Sequence, residues 1–174
     1  AGEIDRLAAE CAWFALSGSL PPGIDADFYA GCIRRIRAQG CRVALDSSGA
    51  AFKAGVEAAP EVVKPNLSEL SEWAGRPLAG EAEALAAARE LLARGIGLVV
   101  VSLGERGALF VESGQALAAH PPEVSVASTV AAGDALAAGV LAARLEGLSL
   151  EETARKATAL AVGKLGFIGA RLPE

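Results

Sequence analysis

The chain has 174 residues, 52% of them hydrophobic and 5% aromatic, with a net charge of −5. That length suits one domain, residues 1–174, and the apolar share with 21% charged residues excludes wholesale disorder. No basic cluster interrupts the acidic balance: Arg34, Arg35 and Arg37 sit close together but fit one exposed helix face, so nucleic acid and anionic membrane are poor partners.

Ala12 to Leu16 is a short apolar run that stops at Ser17-Gly18-Ser19, which predicts a buried strand feeding a loop. Pro21-Pro22-Gly23 extends the loop. Asp25 can N-cap a helix through Gln39, with Phe28, Cys32, Ile33 and Ile36 on one face and Gly40 as its stop. Cys41 to Leu45 is the next strand, and Asp46-Ser-Ser-Gly49 follows it. Ala50 to Ala58 reads as helical, and Pro60 ends it. Val62-Val63 is a third short strand, and a helix begins after Lys64-Pro65-Asn66. Glu81 to Arg94 is an amphipathic helix with Leu85, Ala88 and Leu92 in register. Leu98 to Val101 is a fully apolar strand. Ala108 to Val111 and Gln115 to Ala119 flank Glu112-Ser-Gly114 as a hairpin, and Glu123 to Val126 is a further strand. Ala132 to Leu145 is a helix. Ser149 and Glu152 form a capping box for the last helix, in which Leu150, Ala154, Ala157 and Ala161 share a face.

Strands alternate with helices, and the strands are short and apolar. This predicts an α/β fold: a mostly parallel sheet covered by helices, with one antiparallel hairpin near the end. Ligands of such sheets bind at the carboxyl ends of the strands. The polar and glycine-rich segments here all follow strands, so they are expected along one edge.

Cys11, Cys32 and Cys41 are odd in number and lack CxxC spacing. Buried structural thiols in a reducing cytoplasm are expected, rather than a disulfide framework or a zinc site. No signal-peptide pattern is present, and the weakly polar stretch from Val124 to Ala143 is broken by Asp134, so no membrane span is expected. The chain holds no Met and opens on Ala-Gly-Glu, which suggests a fragment or a processed product.

Three segments are candidates for chemistry. In Ala131-Ala132-Gly133-Asp134 small residues open a helix, whose first amides can bind phosphate. Asp134 would stand beside that anion hole, although an acidic residue in a first helical turn is also ordinary dipole chemistry. Asn66-Leu-Ser-Glu69 is a capping box by pattern; Glu69 is also able to hold Mg²⁺ through water, since magnesium needs few protein ligands. Ser102-Leu-Gly104-Glu-Arg-Gly107 places two glycines after a buried strand, either for close backbone approach to a ligand or for a tight turn. It is neither a Walker A loop nor a dinucleotide fingerprint, which disfavours an NAD enzyme. His120, the single histidine, has no companion ligand in sequence and reads as a surface residue.

In this order the segments resemble the PfkB/ribokinase family of sugar kinases, from Ser17 to the end of the chain. Ser128-Thr-Val-Ala-Ala-Gly-Asp134-Ala-Leu-Ala-Ala-Gly-Val-Leu is similar to the family's C-terminal signature. The resemblance implies that Asp134 is the catalytic base and that Ala131, Ala132 and Gly133 form the anion hole. It implies Lys64, Asn66, Ser102, Gly104 and Gly107 as nucleotide contacts and Glu69 as the Mg²⁺ residue. Gly169-Ala-Arg171 resembles the segment near the adenine, and Ser128, Val130, Gly169 and Arg171 match a monovalent-cation site suited to K⁺. The implied fold is a ribokinase-like three-layer α/β/α sandwich without its N-terminal part and lid.

Ser17-Gly-Ser-Leu-Pro-Pro-Gly23, Asp46-Ser-Ser-Gly49 and Lys64-Pro-Asn66 are similar to the 1-phosphofructokinase and tagatose-6-phosphate kinase branch. A phosphorylated ketohexose is the implied acceptor, fructose 1-phosphate first, with fructose 6-phosphate and tagatose 6-phosphate behind it. ATP and Mg²⁺ follow from the same likeness; a homodimer is one possible assembly, and the cysteine usage already points to a cytoplasmic setting. Ala131 departs from the family's usual Gly. If that position needs positive φ, Ala costs about 1 kcal/mol. A non-catalytic nucleotide-binding fragment is the alternative.

Overall fold

The computed structural model describes residues 2–122, 128–129 and 131–166. Among the described residues a six-stranded sheet runs in sequence order, from β1 (Trp13–Ser17), β2 (Arg42–Asp46), β3 (Val62–Val63) and β4 (Leu98–Ser102) to β5 (Ala108–Glu112) and β6 (Gln115–Ala119). β1 to β4 are parallel; β5 and β6 join antiparallel. This is the expected mixed sheet with its hairpin. The strand expected at Glu123–Val126 lies outside the described residues.

Strand alternation divides the side chains between two cores. Val43, Leu45, Val63, Val99 and Val101 face one way. They pack beneath α2 (Phe28–Ala38), α3 (Gly49–Val56), α4 (Leu67–Ala74) and α5 (Glu81–Leu92). Val62, Leu98, Val100 and Phe110 face the other way, under α6 (Ala132–Leu145) and α7 (Leu150–Leu165). The layers are therefore helix, sheet, helix. α6 and α7 approach closely at Gly139, where a Cβ would lie 2.5 Å from the Ala157 Cα. Among the described residues no helix is long and apolar enough to cross a membrane.

Several expectations need correction. A short helix α1 (Gly2–Ala8) precedes β1. β1 is not a buried strand: it forms one edge of the sheet, and its side chains are half-buried or exposed. Asp25 does not cap α2; the helix opens at Phe28, whose N–H donates to the Asp25 carbonyl. Its buried face is Tyr29, Ala30, Ile33 and Ile36, and Phe28, at its first position, is exposed. The buried stripe of α5 is Ala84, Ala87, Ala88 and Leu91, with Leu85 and Leu92 at its margins. Alanine brings helix and sheet close enough that leucine fits best at the flanks. Of the cysteines only Cys41 is buried; Cys11 is exposed and Cys32 half-buried, all three unpaired.

Candidate active site at the carboxyl edge

Parallel register places the ends of β1 to β4 side by side. Ser17 pairs with Asp46, and Leu45 pairs with Val63, so Lys64 follows directly beside Asp46. Beyond β3, Asn66 bridges to Ser102, and the Ser102 N–H donates to the Pro65 carbonyl at 3.0 Å. Ser17, Asp46, Lys64 and Ser102 all stand an even number of residues from side chains on the α6 side. Alternation therefore turns all four toward the start of α6.

Lys64 and Asp46 form the electrostatic centre of this edge. The Lys64 Nζ lies 3.1 Å from Asp46 Oδ2, and their side chains are only 10% and 22% exposed. Burial holds the Asp46 carboxyl above the ordinary aspartate value of 3.8; the Lys64 ammonium opposes that rise and the charge of Asp134 adds to it. A cavity of about 20 Å³ lies between this pair and α6, lined by Ala15, Ala44, Val62 and Val140 among others. Asp46 was not among the expected site residues. The signal was present: the apolar alternation of β2 runs directly into it, so its face was predictable.

α6 begins where the sequence predicts. Ala131 is its N-cap with φ +63, ψ 9, the left-handed region that favours glycine. The condition attached to Ala131 is thus met. The Ala132 N–H donates to the Thr129 carbonyl at 3.3 Å, so this amide of the expected anion hole already has an acceptor. Gly133 lies over Lys64: a Cβ built on it would be 3.6 Å from Nζ. Asp134 is exposed in the first helical turn. The segment before α6 is tied to α7 through Ser128 N–H and the Leu165 carbonyl, 3.3 Å. Val130, Gly169 and Arg171 lie outside the described residues, so of the residues expected at a K⁺ site only Ser128 is described.

Asn66 and Glu69 form the capping box that opens α4. Asn66 Oδ1 accepts from the Glu69 N–H at 2.9 Å, and Glu69 Oε2 accepts from the Asn66 N–H at 2.8 Å. This fixes the Glu69 carboxylate at the same edge. Among the described residues no three His, Cys, Asp or Glu side chains gather as a metal-binding group. The donors fit a magnesium ion held mainly by water and phosphate oxygens, with one carboxylate behind them. They do not fit an all-protein cage.

The two loop glycines differ in purpose. Gly107 has φ +91, and a Cβ there would fall 1.9 Å from the Ala119 carbonyl oxygen, so the start of the hairpin requires it. Gly104, φ +65, opens a 3-10 turn, Gly104–Arg106, and no described atom approaches its Cβ position within 4 Å. Of the pair, Gly104 is the one that leaves room for a ligand. His120 is exposed, with Nδ1 3.0 Å from the Arg106 carbonyl, and stands outside this group.

The carboxyl edge of this layered α/β sheet thus carries a buried lysine, a helix start and an acidic residue, the kind of place where ligands of such sheets bind. The sequence profile of the pfkB family carbohydrate kinases matches residues 3–173, and the chain belongs to that family. It is 50% identical over 169 residues to a 1-phosphofructokinase of Rhodobacter capsulatus, covering 97% of this chain and 54% of that protein. It is 44% identical over 146 residues to the 1-phosphofructokinase of Escherichia coli K12, covering 84% and 47%. The crystal structure of Escherichia coli phosphofructokinase-2 in complex with potassium superposes with a TM-score of 0.90 at 36% identity, covering 98% of this chain and 58% of that one. The chain thus spans about half the length of the relatives it matches.

Proposed function

We propose that this chain is the phosphate-binding part of an ATP-dependent kinase acting on a ketohexose phosphate, fructose 1-phosphate first among acceptors. The carrying observation is the position of Gly133 at the start of α6, directly above the buried Lys64, with Asp134 next to it in the first turn. A helix start and an ammonium aimed at one volume favour an anion between them. The names of the relatives supply the class of acceptor.

In this reading the ATP phosphates lie along the carboxyl edge, near Lys64, Asn66 and Gly104. The acceptor hydroxyl attacks the γ-phosphorus in line. Its proton passes to the Asp134 carboxylate, the new P–O bond forms, and the bond to ADP breaks. Asp134 is exposed, which suits a base that meets its acceptor from outside the fold. Lys64 and the amides of the first turn of α6 beyond Ala132, whose own N–H already has an acceptor, stabilise the charge on the transferring oxygens. Magnesium, when bound, neutralises phosphate charge, with Glu69 holding it through water. Positioning supplies much of the rate. A potassium ion near Ser128, a homodimer and a cytoplasmic setting belong to the same proposal.

The test is Asp134→Asn in the full-length protein. Turnover is expected to fall about 10²–10⁴-fold, the range of a lost general base, while ATP affinity stays within a few-fold. Near-normal turnover overturns the assignment.

A second reading is favoured by the half-length match and by the strained Ala131: a nucleotide-binding unit without turnover of its own. Calorimetry with ATP–Mg²⁺ beside a coupled kinase assay on this chain separates the two. Binding without turnover supports the second reading; turnover with fructose 1-phosphate supports the first.

A further inference from the structure

Lys64 has a long, flexible stem and a strongly hydrated head, and it would ordinarily turn that head to water. Here the ammonium is nearly buried and lies against the start of α6, whose dipole repels a cation. Two unfavourable terms thus act on one group, and something must hold it. The group that does so is Asp46, 3.1 Å away on the neighbouring strand. Its short side chain has few rotamers. Its backbone is fixed, since the Gly18 N–H donates to its carbonyl at 2.9 Å and the Lys64 N–H donates to the Leu45 carbonyl at 3.2 Å. The carboxylate is the rigid partner and the ammonium the guided one.

We infer that Asp46 is a positioning residue whose carboxylate holds the Lys64 ammonium beneath the first turn of α6. What Lys64 then meets, a transferring phosphate, rests on the kinase reading; the holding itself does not. Asp46 acts through Lys64, so its effect vanishes when Lys64 is gone. A carboxylate acting on its own ligand would give independent losses instead.

Two measurements test this. Without any ligand, the Lys64 ammonium ¹H–¹⁵N signal is followed by NMR. It is expected in the native chain, slowed in exchange by the ion pair, and lost in Asp46→Asn. Its survival in that variant overturns the inference.

With ligand, calorimetry compares ATP–Mg²⁺ with AMP in the native chain, Asp46→Asn, Lys64→Met and the double variant. AMP reports that the fold and adenosine contacts persist. The preference for ATP over AMP is expected to fall about tenfold in each single variant, as for a lost charge-assisted contact. The double variant is expected to lose no more than about twofold further, the mark of coupled residues. An unchanged or greater preference in Asp46→Asn overturns the inference, as do additive losses. If the native chain binds no ATP, the kinase reading fails, and the ammonium signal alone decides the role of Asp46.

Discussion

Ala131→Gly should stabilise the protein while leaving the entry to α6 unchanged. Ala131 holds φ +63 as the N-cap of α6. A left-handed L-residue with a Cβ is disfavoured by about 1–2 kcal/mol. Glycine removes that strain but brings more unfolded-state freedom, about 0.4–1 kcal/mol against folding. Loss of a half-buried methyl works in the same direction by less than about 0.8 kcal/mol. Glycine is the better N-cap, which adds a few tenths back. The balance is a gain of about 0.5 kcal/mol, or about 1–2 °C in Tm for a chain of this size.

Urea unfolding at constant m-value measures it. Ala131→Val is the control, because a β-branched residue at positive φ is strained further. It should lower stability by about 1–2 kcal/mol, the scale of left-handed strain. If glycine destabilises and valine is neutral, Ala131 is not left-handed, and the placement of Gly133 and Asp134 that follows from it is wrong.

Other outcomes follow from the same geometry. Burial holds the Asp46 carboxyl above 3.8, so the folded chain keeps that proton to higher pH than the unfolded chain. The stability Asp46 contributes is therefore fully present below 3.8 and declines as pH rises through its folded value. The unfolding free energy of the native chain minus that of Asp46→Asn should fall with pH in that window; a rising difference contradicts the burial argument. Glu69→Gln keeps a residue able to complete the capping box, so thermal stability should shift by less than about 0.5 kcal/mol. The Mg²⁺ needed for half-maximal turnover of the full-length protein should rise about tenfold, as for a lost metal-supporting contact. Gly139→Val should lower stability by about 1–3 kcal/mol, read by denaturant midpoint, because its side chain would enter the α7 backbone at Ala157.

The elements most legible in sequence were those with local causes. Ser149 and Glu152 announce α7, and Asn66 and Glu69 announce α4, because capping boxes satisfy amides within one turn. The hairpin follows from Ser113-Gly114, with φ +80 at the glycine. α6 spans the expected Ala132 to Leu145. The features that escaped were set by tertiary contact. α1 fully buries no residue; Ile4 and Ala8 pack on the core from its margin, and the exposed Asp5–Arg35 ion pair links it to α2 across thirty positions. The start of α2 falls beyond Asp25, and Tyr29 in its first turn makes a contact distant in sequence, its hydroxyl donating to the Ser17 carbonyl at 3.1 Å. The exposed edge of β1 was invisible because an apolar run does not say how many neighbours a strand has.

The candidate site shows why bland and functional readings of one residue need not compete. Glu69 closes a capping box, and that use is what fixes its carboxylate at the carboxyl edge. Gly107 is demanded by the Ala119 carbonyl, and that turn is what sets Gly104 facing open space. Asp134 sits in a first helical turn where any acid is favoured. Its neighbour Gly133 rests on Lys64, and its charge reaches Asp46. None of these features is specific alone. Their register on adjacent parallel strands brings two carboxylates, one ammonium and one helix start into a single space. In that space the buried charges of Asp46 and Lys64 are tolerable only as a pair, and an arriving phosphate is the group that the ammonium and the helix start would favour.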